Sequence, residues 1–239
     1  MALKPFRLTA QMLRGVVADE NSLDLAGILA SRMWRQMKHA PAVDSMVERP
    51  EDFDLPLHMC EHGEDWHWMG SAGEFDADAL RPQEPRTHYR VVNDAWAARA
   101  ADRPLPYYHP RSSAYRDMMM PAHVVLTPTI TWYGVGNPEA IMDLVSPIRE
   151  LGKRRMKGEG RVLSWEIEEV LADDSWVYGH IGDSDSIVRP IPVECANRLG
   201  VEYDLAWHAI RPPSWNPNRL RRLAVKPEEE VYLPEEWEL

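Results

Sequence analysis

The densest run of positive charge lies between residues 147 and 161, where six cations accompany two acids and the net charge is +4. The cations are Arg149, Lys153, Arg154, Arg155, Lys157 and Arg161. Gly152, Gly158 and Gly160 interrupt the same run. Glycine reaches positive φ and leaves backbone N–H groups uncovered, so phosphates can approach closely while the cations attract them and displace counterions. The run predicts a loop that binds a phosphate backbone, and a solvated connection between two elements is the alternative.

This loop differs from the Walker loop of nucleotide-binding proteins. That motif places Gly-Lys-Ser/Thr at its end and opens a helix. Here Gly158 precedes Glu159, and the apolar run from Val162 is typical of a strand. The residues predicted to bind RNA in the loop are Gly152, Lys153, Arg154, Arg155, Lys157, Gly158, Gly160 and Arg161.

A second candidate surface interleaves aromatic and basic side chains between residues 103 and 121. Its members are Tyr107, Tyr108, Arg111, Tyr115 and Arg116. Aromatic rings and guanidinium groups of this kind stack on unpaired nucleotides. Ordinary packing beneath a loop is the alternative. We predict that Tyr108 and Arg111 bind RNA.

Histidines raise the question of catalysis, because RNA cleavage by general acid–base chemistry needs a histidine at the scissile phosphate, often beside a tyrosine or lysine. The candidates are His39, His88, His109, His123 and His208. Tyr107, Tyr108 and His109 are close enough in sequence to form such a site. Nothing distinguishes this cluster from a stacking surface, so the residues alone leave binding and cleavage both open.

A metal site is the next possibility, since His58, Cys60, His62 and His67 lie close together in sequence. No second cysteine or paired histidine follows at a spacing familiar from zinc sites. The sequence therefore predicts surface histidines on an acidic loop, with no metal and no other cofactor. Cys60 and Cys195 do not form a disulfide framework.

The net charge of the chain is −11, which alone disfavours a nucleic-acid partner. The acids are concentrated, however. Residues 44–78 carry eleven acids and one base, and residues 228–239 carry six acids and no base. We expect residues 44–78 to face away from RNA, toward solvent or a basic partner. No run approaches the roughly 18 apolar residues of a membrane span, and no signal peptide is apparent, so a cytoplasmic protein is expected.

The order of predicted elements favours an α+β fold. A strand over residues 6–12 and a helix to about Lys38 come first. An acidic insertion at about 40–85 and an irregular connection at about 103–121 follow, then a strand, a turn at residues 134–136, a helix that Asn137 caps, the glycine loop and a strand from Val162. The helix should be kinked or shortened by Pro147 and should end near Gly152. This is the order of a ferredoxin-like core, and we predict one decorated domain over residues 1–239. Beyond the core, residues 176–178 are a candidate short strand.

A glycine-rich loop leading from the second helix of such a core into its last strand resembles the signature of the RAMP superfamily of CRISPR RNA-binding proteins. Two further segments support the resemblance: the Arg14-Gly15-Val16-Val17 strand end with the helix entry at residues 23–30, and Arg189-Pro190-Ile191-Pro192. The chain is most similar to the small RAMP subunit of type IV effector complexes. The resemblance implies a ferredoxin-like, RRM-like RAMP core with insertions.

The same resemblance implies a non-catalytic protein that holds the 5′ handle of a guide RNA and contacts the backbone and large subunits of a ribonucleoprotein complex. It also implies a hairpin thumb, formed by residues 44–78, 103–121 or 84–92. Two alternatives stay open. One is a guide-RNA processing endoribonuclease on the same fold, and the other is an acidic protein-interaction module without RNA contact.

Overall fold

The structure, a computed structural model, describes residues 3–18, 23–38, 53–62, 65–76, 84–90, 118–214 and 216–227. Ten strands are present in these ranges: β1 Lys4–Met12, β2 Met59–His62, β3 Asp65–Trp68, β4 Glu74–Phe75, β5 Glu84–Arg90, β6 Met118–Val124, β7 Thr129–Gly136, β8 Val162–Glu169, β9 Asp204–Ala209 and β10 Leu220–Val225. Four α-helices accompany them: α1 Leu25–Lys38, α2 Pro138–Val145, α3 Ser175–Ile181 and α4 Val193–Leu199. The fold mixes helices with antiparallel sheets, as the sequence predicts.

The central sheet has four strands in the order β4-β7-β1-β8, and every neighbouring pair is antiparallel. Helix α1 follows β1 in the chain and α2 follows β7. The sheet and these two helices give the sequence β-α-β-β-α-β, which is compatible with the expected ferredoxin-like core. The order also places β1 and β8 side by side, so the connections that follow α2 and β1 meet at one edge of the domain.

The period-two pattern at the N-terminus explains which face of the sheet is covered. Phe6, Leu8 and Ala10 are fully buried and belong to one apolar cluster with residues of α1 and α2. The Trp132 ring lies in the same cluster, and its indole N–H donates to the Leu23 carbonyl at 2.7 Å. Burial of these side chains removes apolar surface from water, and this fixes both helices on one face of the sheet.

Helix α2 confirms the predicted start but corrects the predicted end. The Asn137 side chain accepts from the Ala140 N–H at 3.3 Å, and Pro138 occupies the first turn. The helix ends at Val145, two residues before Pro147, because the residue preceding a proline is disfavoured in the helical region. Gly152 lies six residues beyond the Ser146 cap, within the following loop.

The predicted turn at residues 134–136 is wrong, since β7 continues through Gly136 and pairs there with Lys4. A Cβ on Gly134 would lie 2.7 Å from the Met69 carbonyl oxygen, and one on Gly136 would collide with the Pro56 carbonyl. These glycines permit close approach of a neighbouring backbone rather than chain reversal. The segment around residues 56–70 lies against β7 at this point.

The other side of the sheet carries an accessory layer. Tyr133 points away from the α1–α2 cluster, and its ring meets Tyr178 of α3 edge to face at 6.1 Å. A helix at this position corrects a sequence prediction of a strand over residues 176–178, because the Asp174 side chain caps it by accepting from the Trp176 and Val177 N–H groups. The β2–β3 and β9–β10 hairpins and α4 complete the layer.

One buried arginine joins separate parts of the chain. The Arg189 guanidinium donates to the carbonyls of Trp68 at 2.7 Å, Gly70 at 3.0 Å and Ile210 at 3.0 Å. Its Nη1 also lies 3.7 Å from the Asp24 carboxylate, at the start of α1. The Arg-Pro-Ile-Pro segment therefore has a structural role in the fold.

Strands β5 and β6 form a separate antiparallel ribbon. Residues 118–121 belong to β6, so the predicted irregular connection over 103–121 is wrong for these four residues. Val125, directly after β6, pairs with Val16, which follows β1 in the chain. The predicted acidic insertion over 40–85 supplies β4 of the central sheet, because Glu74 and Phe75 pair with β7.

Candidate nucleic-acid interface

The glycine loop (residues 152–161) is held by backbone hydrogen bonds to the turn after β1. The Gly160 N–H donates to the Gly15 carbonyl at 2.7 Å, and the Lys153 N–H donates to the Val17 carbonyl at 2.7 Å. Across the base of the loop, the Leu151 N–H donates to the Gly160 carbonyl at 2.8 Å. The loop is therefore a built element with a fixed base.

Four residues of the loop have positive φ: Gly152 at 72°, Arg154 at 60°, Gly158 at 85° and Gly160 at 71°. The glycines differ in what surrounds them. A Cβ on Gly160 would collide with the Leu151 carbonyl, and one on Gly152 would lie 2.6 Å from the Val17 carbonyl. At Gly158 the nearest group is the end of a flexible side chain, Arg14 Nη1 at 3.3 Å. Gly152 and Gly160 thus serve the fold of the loop, and Gly158 is the glycine whose backbone faces open space.

The loop presents its cations outward and turns its acid inward. The side chains that are exposed are those of Lys153, Arg154, Arg155, Lys157 and Arg161. Glu159 is only 3% exposed. Arg14 is also exposed and reaches Gly158 from the turn after β1. The edge of the domain therefore offers six cationic side chains along a short stretch of surface, which attracts a phosphate chain.

A groove of about 1440 Å³ adjoins the loop. Its walls come from α1, from residues 147–156 and from residues 189–218. It exceeds the roughly 300–1,000 Å³ of an ordinary small-molecule pocket. The cationic residues in its walls are Arg32, Arg35, Arg149, Lys153, Arg155, Arg189 and Arg211, and the acidic ones are Asp24 and Glu150. Positive charge therefore continues from the loop into the groove.

Aromatic groups in the groove supply surfaces for bases. Trp34 of α1, Phe53 and Trp68 line it. The Arg211 guanidinium stacks on the Trp66 ring at 4.2 Å from its centroid. His208 of β9 also lines the groove, and burial lowers the pKa of its imidazole.

Residues 44–78 are expected to face away from RNA, and the described part of this segment contributes to more than one surface. Phe53 and Trp68 turn apolar groups into the groove. Asp65 instead forms an ion pair with Arg221, with oxygen–nitrogen distances of 2.9 and 3.0 Å. Side chains from the described part of the segment therefore lie both in the groove and in the accessory layer.

The accessory layer leaves part of its side of the central sheet open over β1 and β8, and this part has a different character. This open face is formed by Arg7, Thr9, Gln11, Glu166 and Glu168, which are paired across β1 and β8. The Arg7 guanidinium contacts the Glu168 carboxylate and lies 3.1 Å from Asp183, and the hydrogen bond with Glu168 raises the pKa of Arg7. These five side chains include no aromatic ring on which a base could stack.

A family model described as CRISPR type IV associated protein Csf3 matches residues 4–226, almost the whole chain. The chain belongs to this family. Membership makes it a subunit of a type IV CRISPR effector complex and confirms the type IV part of the resemblance seen in the sequence. No curated protein matches the chain. None of the helices in the described part of the chain has the length and apolar character needed to cross a bilayer.

Within this Csf3-family chain, eight of the ten predicted RNA-binding residues share one loop, which the structure describes in full. Tyr108 and Arg111 lie outside the described residues, as do Tyr107 and His109. Sequence reasoning missed the cations that reach this edge from elsewhere: Arg14, Arg32, Arg35 and Arg211. Of these four residues, only Arg14 could have been recognised from the sequence, because it precedes the glycine of the Arg-Gly-Val-Val segment.

The expectation of surface histidines is wrong for His67, which is fully buried. His58 is exposed, as expected. His67 lies with Cys60, His180 and Cys195 in a cluster whose possible ligand atoms are all within 4.8 Å of one another. The spacing in sequence hid this cluster, because α3 and α4 supply half of it from more than a hundred residues away.

Proposed function

We propose that this chain is a non-catalytic subunit that binds the 5′ handle of the guide RNA in a type IV CRISPR complex, through the glycine loop and the adjoining groove. The observation that carries the proposal is the exposure of the loop cations on a fixed backbone while Glu159 is buried beneath them. A rigid base lets the cations hold their positions before RNA arrives, so that less conformational entropy is lost on binding.

The loop and the groove have different roles in this proposal. The loop cations bind phosphates, which fixes the path of the RNA without reading its sequence. Trp34 and the neighbouring guanidinium groups stack on splayed bases inside the groove. Tyr108 and Arg111, which lie outside the described residues, are proposed as further RNA contacts on the strength of their residue types alone.

The ribbon of β5 and β6 is proposed as the thumb of the subunit. Its base lies beside the glycine loop, since Val16 pairs with Val125 and Val17 pairs with Lys153. A ribbon that starts at this edge extends next to the RNA path and can touch a neighbouring subunit. Among the segments that the sequence nominated, residues 84–92 are therefore favoured.

Recovery of the chain with its RNA tests the proposal. The chain is expressed with its CRISPR locus, purified, and digested with nuclease, and the protected RNA is sequenced. A protected fragment that begins at one fixed 5′ position supports handle binding, and ultraviolet cross-links should fall on the loop and on Trp34. Recovery of the chain in the complex with cross-links confined to other subunits would instead favour a protein-interaction module.

A further inference from the structure

A second site lies in the accessory layer, far in sequence from the glycine loop. Cys60 and His67 come from the β2–β3 hairpin, His180 from α3 and Cys195 from α4. All four side chains are buried, and both histidines are fully so. Two sulfur and two nitrogen atoms face one another within 4.8 Å. Such convergence of soft ligands from three elements is typical of a metal site.

The histidines present the correct atoms. The ring Nδ1 of His180 donates to the Trp176 carbonyl at 2.6 Å, so its Nε2 carries a lone pair and faces the cluster. The Nε2 of His67 lies 3.2 Å from this atom. Neutral imidazoles with facing nitrogens are the ligand form of histidine.

The two cysteine sulfurs supply the other half of the cluster. Both thiols are buried, and the Trp176 indole N–H donates to Cys60 Sγ at 3.2 Å. Cysteine binds metal as the thiolate, so a bound ion would displace the proton of each thiol.

The distances agree with tetrahedral coordination. With Zn–N bonds of about 2.0–2.1 Å and Zn–S bonds of about 2.3 Å, two nitrogens lie about 3.3 Å apart and two sulfurs about 3.8 Å apart. The observed separation of the two nitrogens is 3.2 Å, and the remaining pairs fall within 4.8 Å. Small side-chain rotations therefore suffice to complete the tetrahedron.

We propose that Cys60, His67, His180 and Cys195 bind one structural zinc ion. Four protein ligands close the coordination sphere, which is the arrangement of structural rather than catalytic zinc. The ion would join the β2–β3 hairpin to α3 and α4, around a small apolar cluster that includes Met69 and Val135. This site is independent of RNA binding by the glycine loop.

His62 lies beside the four ligands and supports them. Its Nε2 is 3.2 Å from Cys60 Sγ and 3.0 Å from Cys195 Sγ, and its ring stacks on His67 with an angle of 11°. With zinc bound, its N–H donates to the thiolates and disperses their charge. Loss of such a contact lowers metal affinity by about tenfold to a hundredfold.

Metal analysis of the full chain tests the proposal. The protein is purified without added metal or chelator, its zinc is measured by mass spectrometry, and its two cysteines are titrated with a thiol reagent. We expect about one zinc per chain, released on thiol modification. A metal-free protein with two reactive thiols, or with a Cys60–Cys195 disulfide, would overturn the proposal.

Cobalt replacement identifies the ligands. The metal is removed under reducing conditions, and cobalt(II) is added to the chain and to single variants. The parent should show the visible bands of tetrahedral cobalt with thiolate charge transfer. His67→Ala and Cys195→Ser should lose the intense tetrahedral bands, while His58→Ala, on the same hairpin but exposed, should keep them. Octahedral cobalt in the parent contradicts the site even if every variant fails to fold.

The His62→Ala variant separates a supporting role from a ligand role. We expect its cobalt spectrum to match the parent and its zinc affinity to fall by about tenfold to a hundredfold. A chelator should lower the unfolding temperature of the parent and of His58→Ala equally, because the ion contributes folding free energy. Loss of the spectrum in His62→Ala together with its retention in His67→Ala would overturn the ligand assignment.

Discussion

The glycine loop and the open face of the central sheet are both polar surfaces of the same core, yet their charges are balanced differently. On the open face, the Arg7 guanidinium lies against Glu168 and Asp183. On the loop, the cations are exposed and Glu159 is buried. A net charge of −11 therefore describes neither surface, and the placement of the acids decides which one attracts phosphate.

The comparison also separates this chain from RNA-binding domains that use the sheet itself. Those domains stack bases on aromatic residues of their central strands. Here Thr9 and Gln11 of β1 lie on the open face opposite Glu166 and Ser164 of β8. The basic edge lies where α2 connects to β8. In the proposed function, a similar arrangement of strands presents RNA with a loop and a groove instead of a sheet.

Reversal of the loop charges is the strongest test of the difference between the glycine loop and the open face. Replacement of Lys153, Arg154, Arg155 and Lys157 by Glu turns four attractions into repulsions. We expect guide RNA to bind at least about a thousandfold more weakly near physiological salt, measured by fluorescence anisotropy.

The matched control changes the open face. Glu166→Lys with Glu168→Lys adds positive charge far from the proposed RNA path, and exposed charges beyond about 10 Å are largely screened in 0.1 M salt. Its affinity should stay within about threefold of the parent. Equal RNA affinity of the parent and of a folded four-Glu variant would show that the loop is only a connector.

Neutral substitution should have a smaller and distinct effect. Alanine at the same four loop positions removes up to four phosphate contacts without adding repulsion. Each contact to a single strand contributes about −0.7 to the slope of log affinity against log salt, so the slope should flatten by up to about 3. Titrations at several salt concentrations measure it. An unchanged slope with reduced affinity would argue that the cations act through the fold.

A comparison of substitutions at Gly160 and Gly200 distinguishes the cost of backbone strain from the cost of a steric collision. Both have φ of 71°, but a Cβ on Gly160 would collide with the Leu151 carbonyl, whereas nothing lies within 4 Å of one on Gly200. Gly200→Ala should lower the free energy of unfolding by about 1–2 kcal/mol, and Gly160→Ala by clearly more. Urea unfolding of both variants checks this, and equal losses would mean that the base of the loop is loosely packed.

Gly158→Val probes the loop where the protein leaves space open. Its positive φ strains a branched side chain by about 1–3 kcal/mol, but its Cβ meets only the end of Arg14. We expect a fold close to the parent with weaker RNA binding that persists at low salt, since the side chain blocks close backbone approach. Binding that recovers fully at low salt would assign the loss to charge alone.

The smallest expected effect concerns catalysis. The isolated chain should leave repeat RNA intact, and His109→Ala and His208→Ala should behave as the parent does. His208 is the necessary second variant because it lines the groove with a pKa lowered by burial. Incubation with labelled repeat RNA and gel analysis gives the answer. Metal-independent cutting that either substitution abolishes would promote the processing endoribonuclease.

Local patterns predicted the features that local physics determines. The alternation from Phe6 to Met12 gave β1, Asn137-Pro138 gave the start of α2, and the basic run gave the glycine loop. Each depends on residues within one or two turns of chain. The strand predicted at Trp176 failed for a related reason: its aromatic and β-branched residues favour strands, and the Asp174 cap outweighs them.

Features that depend on distant residues could not be predicted in this way. The groove needs α1, the loop and residues 189–218 to come together, and no spacing in the chain encodes that. The Cys/His cluster likewise joins a hairpin to two later helices. Gly134 and Gly136 were predicted as a turn because glycine occurs both in turns and in strands that a neighbouring backbone approaches closely. The sequence alone does not distinguish these two uses of glycine.

The hydrogen bonds of Arg189 have a consequence for how the molecule opens. A single guanidinium donates to the carbonyls of Trp68, Gly70 and Ile210, so detaching any of these segments takes a hydrogen bond away from a buried charge. Opening of the β2–β3 hairpin alone therefore costs nearly as much free energy as opening it together with the segment at residue 210. Amide protons near residues 68–70 and near residue 210 should then exchange with solvent at similar rates. The two segments would open together as one cooperative unit, although some 140 residues separate them in the sequence.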